Sequence, residues 1–374
     1  MDGGDLLMTR SVSASAQLAR LGFAEPDRAA ALLADPALAG LVDPLDHRYR
    51  DGLPDALSAA ADPDQALLGL VRLLESLARS PRRAGSLRLD TGGLLAAMRH
   101  PGPGRDRLVA ILGASSALID HLVAHPEQWT AVTDARPRGA AELRTALTSA
   151  VGREQRGARP AYDALRVAYR RELLGIAAID LTSADPVAHL PRAAASLAWL
   201  AEAALEAALD IAREEYGPGH EDCRLAVIGM GKTGGGELNY VSDVDVIFVA
   251  EPATGVAEDR ALAVGTALAT SLMKACSART AEGTLWPIDP ALRPEGKAGP
   301  LVRTVASHRA YYERWAKTWE FQALLKAWVS AGDMEVGRAY KGVIAPMVWA
   351  AAGRERFVED VQAMRRRVEA HVPA

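Results

Sequence analysis

The residues best suited to chemistry stand together in one stretch, AVIGMGKTGGGELNYVSDVDVIFV, positions 226–249. Asp243 and Asp245 flank a single valine at the start of a hydrophobic run. Side chains of a strand alternate faces. The two carboxylates therefore share one face, while Val244, Val246 and Phe248 point the other way, toward a core. Like charges about 7 Å apart on an apolar strand repel each other and lose hydration, so they call for a cation. Hard carboxylate oxygens suit Mg2+, which also takes phosphate oxygens and water. Two such ions about 4 Å apart hold the attacking and leaving oxygens of an in-line phosphoryl displacement. Such a site needs a third carboxylate, and Asp289, in the extended segment TLWPIDPALRP, is the candidate. A D-x-D pair also occurs as ordinary solvated charge at a strand end. The glycine-rich turn just before it, whose N–H groups can approach a triphosphate, and Ser242 favour the metal reading.

Two other readings of the stretch are weaker. Gly231-Lys232-Thr233 ends like a P-loop, but the glycine required five positions earlier is Ala226, so the wide phosphate cradle is missing. Gly229, Gly231 and Gly234 spell the dinucleotide fingerprint G-x-G-x-x-G. That motif needs a helix opening in the glycine run and an acidic residue about 20 positions on, at the end of a second strand. Here Gly236 discourages an immediate helix, Asp245 stands too early, and ELNYVS is too short to return as the helix of a βαβ unit.

The elements that must position these residues follow from composition and pattern. The 374 residues suffice for two or three domains. They are 49% hydrophobic but only 5% aromatic, with abundant alanine and leucine, which points to a mostly helical protein. A net charge of −4 gives no basic field for nucleic acid. Two cysteines, Cys223 and Cys276, make neither a disulfide framework nor a zinc cluster and fit a reducing cytoplasm. MDGGDLLMTR lacks the apolar core of a secretory signal, and no long uncharged apolar run predicts a membrane span. Either Met1 or Met8 can be the native start.

Residues 1–60 read as short helices punctuated by Asp35-Pro36 and Asp43-Pro44. Asp62 caps a helix that begins at Pro63 and turns Leu67, Leu70, Val71, Leu74 and Leu77 inward. Residues 81–104 read as a loop. One helix is expected over 105–125, another over 161–181 and a long one over 191–215. After Gly217-Pro218-Gly219 the pattern becomes α/β: strands at 225–228 and 244–249, a helix over 257–279, and an extended segment over 283–292. Helices over 304–330, 333–350 and 354–370 follow, the last with Phe357, Val361, Met364 and Val368 on one face. The expectation is a predominantly helical α+β protein with a helical region over 1–220, a core with a small mixed sheet over 221–302, and a C-terminal helical region over 303–374.

At this point the motifs resemble a known family. G-x-G-x-x-G-G-x-E-L-N-x-x-S-D-x-D-x-I-F from Gly229 and D-P-A-L-R-P-E-G-K-A-G-P-L-V from Asp289 look like those of bifunctional glutamine synthetase adenylyltransferase/adenylyl-removing enzymes. YYERWAKTWE from Tyr311 and LGASSALIDHLVAHPEQW from Leu112 extend the likeness over nearly the whole chain. These enzymes belong to the nucleotidyltransferases with a polymerase-β-like core and carry two catalytic modules. This chain resembles the N-terminal one, which removes AMP from a tyrosine of glutamine synthetase by phosphorolysis and releases ADP. The other module attaches AMP from ATP, and a PII-type regulatory protein and glutamine choose between them.

By position, the resemblance implies that Asp243 and Asp245 bind Mg2+ and that Asp289 completes the set or helps to activate the nucleophile. Gly229, Gly231, Gly235, Gly236 and Ser242 would form the phosphate-binding turn, with Glu237 and Asn239 bracing it or touching the nucleotide. Arg293 and Lys297 would neutralise phosphate charge, or Arg293 would hold its loop by a salt bridge. Lys232 and Lys317 are weaker phosphate candidates, and Trp315 and Trp319 are expected in the core. The sequence departs from the pattern where Ala327-Trp328-Val329 replaces a family Arg-Pro, and where Gly175 and Ile179 stand in place of arginines. It also lacks a G-G-x-R-[DE]-I-E-F segment, without which activity is expected to suffer. The same carboxylates serve attack by phosphate or by tyrosine. Other readings are a uridylyl- or small-molecule adenylyltransferase, or a silent module that docks glutamine synthetase or a PII-like protein. Arg153, Arg156, Arg159, Arg166, Arg170 and Arg171 would serve such docking, or form a solvated face.

Overall fold

In the computed structural model, residues 14–39, 41, 52–79, 91–154, 160–353 and 357–371 are described. Met1, Met8, Asp43-Pro44, Arg156 and Arg159 lie outside them. Two compact units divide the chain: one runs to Pro137 and takes in Leu173–His189, the other comprises Arg138–Glu172 and Leu190 onward. The second unit holds the sheet, so 138–172 and 190–220 group with the sheet from which the composition shift had separated them.

The first unit begins with α1 (Ala14–Arg20), α2 (Pro26–Leu33) and α3 (Leu53–Leu57). In α4 (Pro63–Arg79) the expected leucine stripe is buried, and Asp62 Oδ1 accepts the Gln65 N–H at 2.9 Å, as a helix cap should. α4 packs on α6 (Pro103–Ala114) and α7 (Ser116–Ala124). These two stand where one helix over 105–125 was expected. Ser115 is extended, and its hydroxyl accepts the Leu118 N–H, starting a new helix at a bend of 114°. Within the expected loop over 81–104 lies α5 (Thr91–Arg99), anchored by buried Leu94 and Met98; 81–90 are outside the described residues. α8 (Trp129–Thr133) completes this run.

Next come α9 (Ala140–Glu154), α10 (Ala161–Leu181) and α11 (Pro186–Tyr216). The α+β core follows with β1 (Cys223–Gly229), α12 (Gly231–Gly234), β2 (Val244–Pro252), α13 (Glu258–Ser277), β3 (Ile288–Asp289) and β4 (Val302–Arg303). The chain continues through α14 (Val305–Arg314), α15 (Thr318–Leu324), β5 (Trp328–Gly332), α16 (Met334–Ala351) and α17 (Phe357–His371). The helix expected over 304–330 is therefore two short helices and a strand. The extended segment over 283–292 keeps only two strand residues.

The sheet is mixed, in the order β3-β2-β1-β5, with β4 also on β2. β1 runs antiparallel to both β2 and β5, while β3 and β4 run parallel to β2. An antiparallel β1–β2 pair excludes the βαβ unit of the dinucleotide fold. Both faces are covered. On one, Ile228, Ile247, Val249 and Val329 meet Tyr312, Phe321, Val336 and Tyr340 from α14–α16. On the other, α13 comes so close that a Cβ at Gly265 would lie 3.0 Å from Cys223 Sγ. Among the described residues no single helix is long and apolar enough to cross a membrane.

Candidate active site

Asp243 and Asp245 lie on the same strand face as Ile247 and Val249, which are buried under the α14–α16 helices. The carboxylates thus stand where that cover ends: Asp243 is exposed and Asp245 half-buried. β3 brings the third acid, since Asp289 pairs with Asp245 across the parallel β2–β3 ladder. One carboxylate oxygen from each of Asp243, Asp245 and Asp289 lies within 4.8 Å of the others. Burial pushes the Asp245 carboxyl up to about 6, helped by the charges of Asp243 and Asp289 and opposed by Lys232. Three converging carboxylates, with Lys232 acting on Asp245 and Arg293 on Asp289, form a donor set that fits a hard divalent cation.

The glycine turn is pressed against this cluster. β1 ends at Gly229, opposite Val246, and the Met230 N–H donates to Asp245 O at 2.9 Å. A single helical turn, α12, then opens within the glycine run, contrary to the expectation from Gly236. Gly231 has φ +52°, and a Cβ there would stand 2.3 Å from Asp245 Oδ2. Only a residue without a side chain lets the carboxylate lie on the turn. At Gly234 a Cβ would be 2.0 Å from Lys326 O and 2.3 Å from Gly229 O, so the turn is clasped between β1 and the end of α15. Gly235 is right-handed and exposed, and Gly236 takes φ +66°. The hydroxyls of Ser242 and Thr233 are buried without a hydrogen-bond partner among the described residues.

The remaining candidates divide between bracing and open positions. Glu237 pairs with Lys326, and Asn239 Oδ1 accepts from Lys232 Nζ at 3.4 Å. Among the described residues Arg293 makes no salt bridge. Its guanidinium donates to the carbonyls of Pro290 at 2.8 Å, Pro300 and Gly299 at 3.1 Å, and Lys297 at 3.3 Å. It holds its own loop. Lys297 is exposed on that loop. Lys317 is exposed at the start of α15, its N–H donating to Glu320. Trp315 is 72% exposed and Trp319 half-buried, so neither is the core residue expected. The arginines of α10 depart furthest from a solvated face. Arg166 is fully buried, and Arg166 and Arg170 both donate to carbonyls of the 278–284 turn. No local pattern marks Lys326; only the folded chain brings it over the glycines.

A family model described as glutamate-ammonia ligase adenylyltransferase matches residues 105–342. A protein of Streptomyces avermitilis is 52% identical over 98% of this chain and 34% of its own length. One of Streptomyces coelicolor is 50% identical over 97% of this chain and 34% of its own, and one of Mycolicibacterium smegmatis 49% identical over 85% and 31%. Each is named a bifunctional glutamine synthetase adenylyltransferase/adenylyl-removing enzyme. The chain spans about a third of the length of these curated relatives. With 238 contiguous residues matching the family model and this identity along nearly its whole length, the chain belongs to the glutamate-ammonia ligase adenylyltransferase family.

Proposed function

We propose that this chain is the Mg2+-dependent nucleotidyltransferase module that removes AMP from an adenylylated tyrosine of glutamine synthetase. The observation that carries the reading is the convergence of Asp243, Asp245 and Asp289 on one point beside the glycine turn. The relatives' names supply the protein substrate, and the likeness to the N-terminal module supplies the direction. The whole enzyme would also adenylylate from ATP, under control of a PII-type protein, in the cytoplasm.

The step is a displacement at phosphorus. An oxygen of inorganic phosphate forms a bond to the adenylyl phosphorus. The bond from that phosphorus to the tyrosyl oxygen breaks, and its electron pair leaves with the oxygen, which takes up a proton. ADP and the unmodified tyrosine side chain of the protein result. A divalent ion held by Asp243, Asp245 and Asp289 would supply charge neutralisation at the phosphate oxygens. The residues around it do the rest. N–H groups at the opening of α12 have no acceptor within that turn and face negative charge well. The Ser242 hydroxyl, buried without a partner among the described residues, has a hydrogen bond to give. Lys232, close enough to act on Asp245, adds positive charge. Arg293 keeps the loop after Asp289 in shape rather than meeting phosphate.

The test is ADP release from adenylylated glutamine synthetase with Mg2+ and phosphate, for this chain and its Asp243→Asn/Asp245→Asn variant. Release that requires phosphate, and falls on the order of a thousandfold in the variant, is expected for loss of several kcal/mol of charge stabilisation. A folded chain that binds glutamine synthetase but releases nothing is instead a docking module. Turnover only on a small-molecule or uridylyl substrate would assign a different transferase.

A further inference from the structure

β3 has two residues, too few to fix its own register, yet it must deliver Asp289 to the cluster. The chain that feeds it, 278–287, has no regular structure beyond a bridge between Thr280 and Gly283. Besides the Leu285 N–H bond to Cys276 O at 3.1 Å, α10 holds that chain at several points. Tyr162, Arg166, Tyr169 and Arg170 recur at helical spacing and form one stripe. Arg166, wholly buried, donates from Nε to Gly283 O at 2.8 Å, from Nη1 to its own helix at Tyr162 O at 2.8 Å, and from Nη2 to Ala278 O. Arg170 donates to Glu282 O and, at 3.1 Å, to Thr284 O. Tyr169 receives the Trp286 indole N–H at 3.2 Å, with the rings edge-to-face at 6.4 Å. Four carbonyl anchors, at Ala278 and at the consecutive Glu282, Gly283 and Thr284, and the indole lead to Pro287, whose carbonyl takes the Val244 N–H at 3.0 Å, and then to Asp289.

Burying guanidinium groups among carbonyls is costly, and burial lowers the pKa of both Arg166 and Arg170. The turn already closes on itself through the Thr280–Gly283 bridge, so the arginine contacts serve more than closure. We infer that Arg166, Tyr169 and Arg170 are positioning residues, which set the register of the 278–287 segment and so place Asp289 in the carboxylate cluster. The inference rests on the metal-site reading proposed above, with α10 acting one step behind the ligand, as outer partners of ligands do.

The test is Mn2+ binding, titrated on the 374-residue chain by electron paramagnetic resonance, with thermal unfolding followed in parallel. Tyr169→Phe removes one hydroxyl and keeps the test readable if Arg170→Ala unfolds the chain. Each is expected to weaken Mn2+ binding roughly tenfold in a folded protein, and to add no loss in an Asp289→Asn background. Arg166→Lys, which keeps the charge but loses the fork, is expected to weaken it as well. Unchanged Mn2+ affinity in folded Arg170→Ala and Tyr169→Phe overturns the inference, as does a loss that adds in full to that of Asp289→Asn. If Asp289→Asn leaves Mn2+ binding intact while Asp243→Asn/Asp245→Asn abolishes it, the clamp has no ligand to place and fails alone. If neither change affects Mn2+ binding, the metal site itself is wrong.

Discussion

A methyl group on Gly231 would meet Asp245 Oδ2 at 2.3 Å, on a backbone that L-residues avoid. Gly231→Ala must therefore push the carboxylate away or unwind the turn. Displacing a reacting group by about 1 Å costs roughly a hundredfold in rate, and a loss of at least that size in ADP release is expected, beside a destabilisation of about 1–2 kcal/mol from the left-handed backbone. Behind the same turn sits a buried acid. Glu202 Oε1 accepts from Ser330 Oγ at 3.3 Å, and a Cβ at Gly229 would stand 2.4 Å from that hydroxyl. Burial pushes Glu202 up to about 7, against the Ser330 hydrogen bond and the charge of Arg144. The folded chain keeps a proton that the unfolded chain gives up above 4.5. Stability should fall as pH rises from there to about 7, then level off. Glu202→Gln should remove that slope, and be more stable than the parent at pH 8 by on the order of 2 kcal/mol but not at pH 4, in denaturant titrations. Residues of these two kinds differed in legibility. The carboxylate pair was readable because strand alternation alone puts both acids on one face. Glu202 and Arg166 were not, because a lone charge in a helix reads as solvated until its partners, more than a hundred residues away, are known.

At the scale of elements, local signals located most of the chain. Asp62-Pro63 marked the start of α4, and the apolar run from Val244 marked β2. The failures lie where tertiary pairing decides. Between residue 304 and WVSAG no glycine or proline interrupts the chain, so the helical pattern of 304–330 runs on; pairing of Trp328–Gly332 with β1 makes it a strand. α5 hid in a segment rich in arginine, glycine and proline, because two buried side chains, Leu94 and Met98, are enough to seat a short helix. The seam between β5 and α16 is testable. A Cβ at Gly337 would stand 2.4 Å from Val329 Cγ1 and 2.8 Å from Cγ2. Gly337→Ala is expected to destabilise by about 1–3 kcal/mol through overpacking. Adding Val329→Ala should recover part of that loss, which a double-mutant cycle in denaturant would read as a favourable coupling.

At the scale of the whole molecule, the question is which stretch of chain makes a self-sufficient site. Composition places a boundary after residue 220, but the sheet draws on what precedes it. Arg144 Nη2 donates to Ser330 O at 3.3 Å, and Glu206 Oε2 accepts the Gly332 N–H at 3.1 Å, so α9 and α11 occupy the outer edge of β5. Without them that edge is an open template for association. Arg166, Tyr169 and Arg170 hold the approach to Asp289, and Glu202 and Leu209 are buried in the same unit. A chain of 138–374 keeps all of these contacts, while exposing part of the apolar face of 173–189. A chain of 221–374 keeps the three carboxylates but loses the edge cover and the clamp. The longer piece is therefore expected to melt cooperatively and bind Mn2+ with an affinity close to that of the full chain. The shorter is expected to associate and to show no cooperative transition by calorimetry. A cooperative 221–374 chain with undiminished Mn2+ binding would mean that the sheet needs neither α9, α10 nor α11, and would move the boundary of the catalytic unit back to the composition shift.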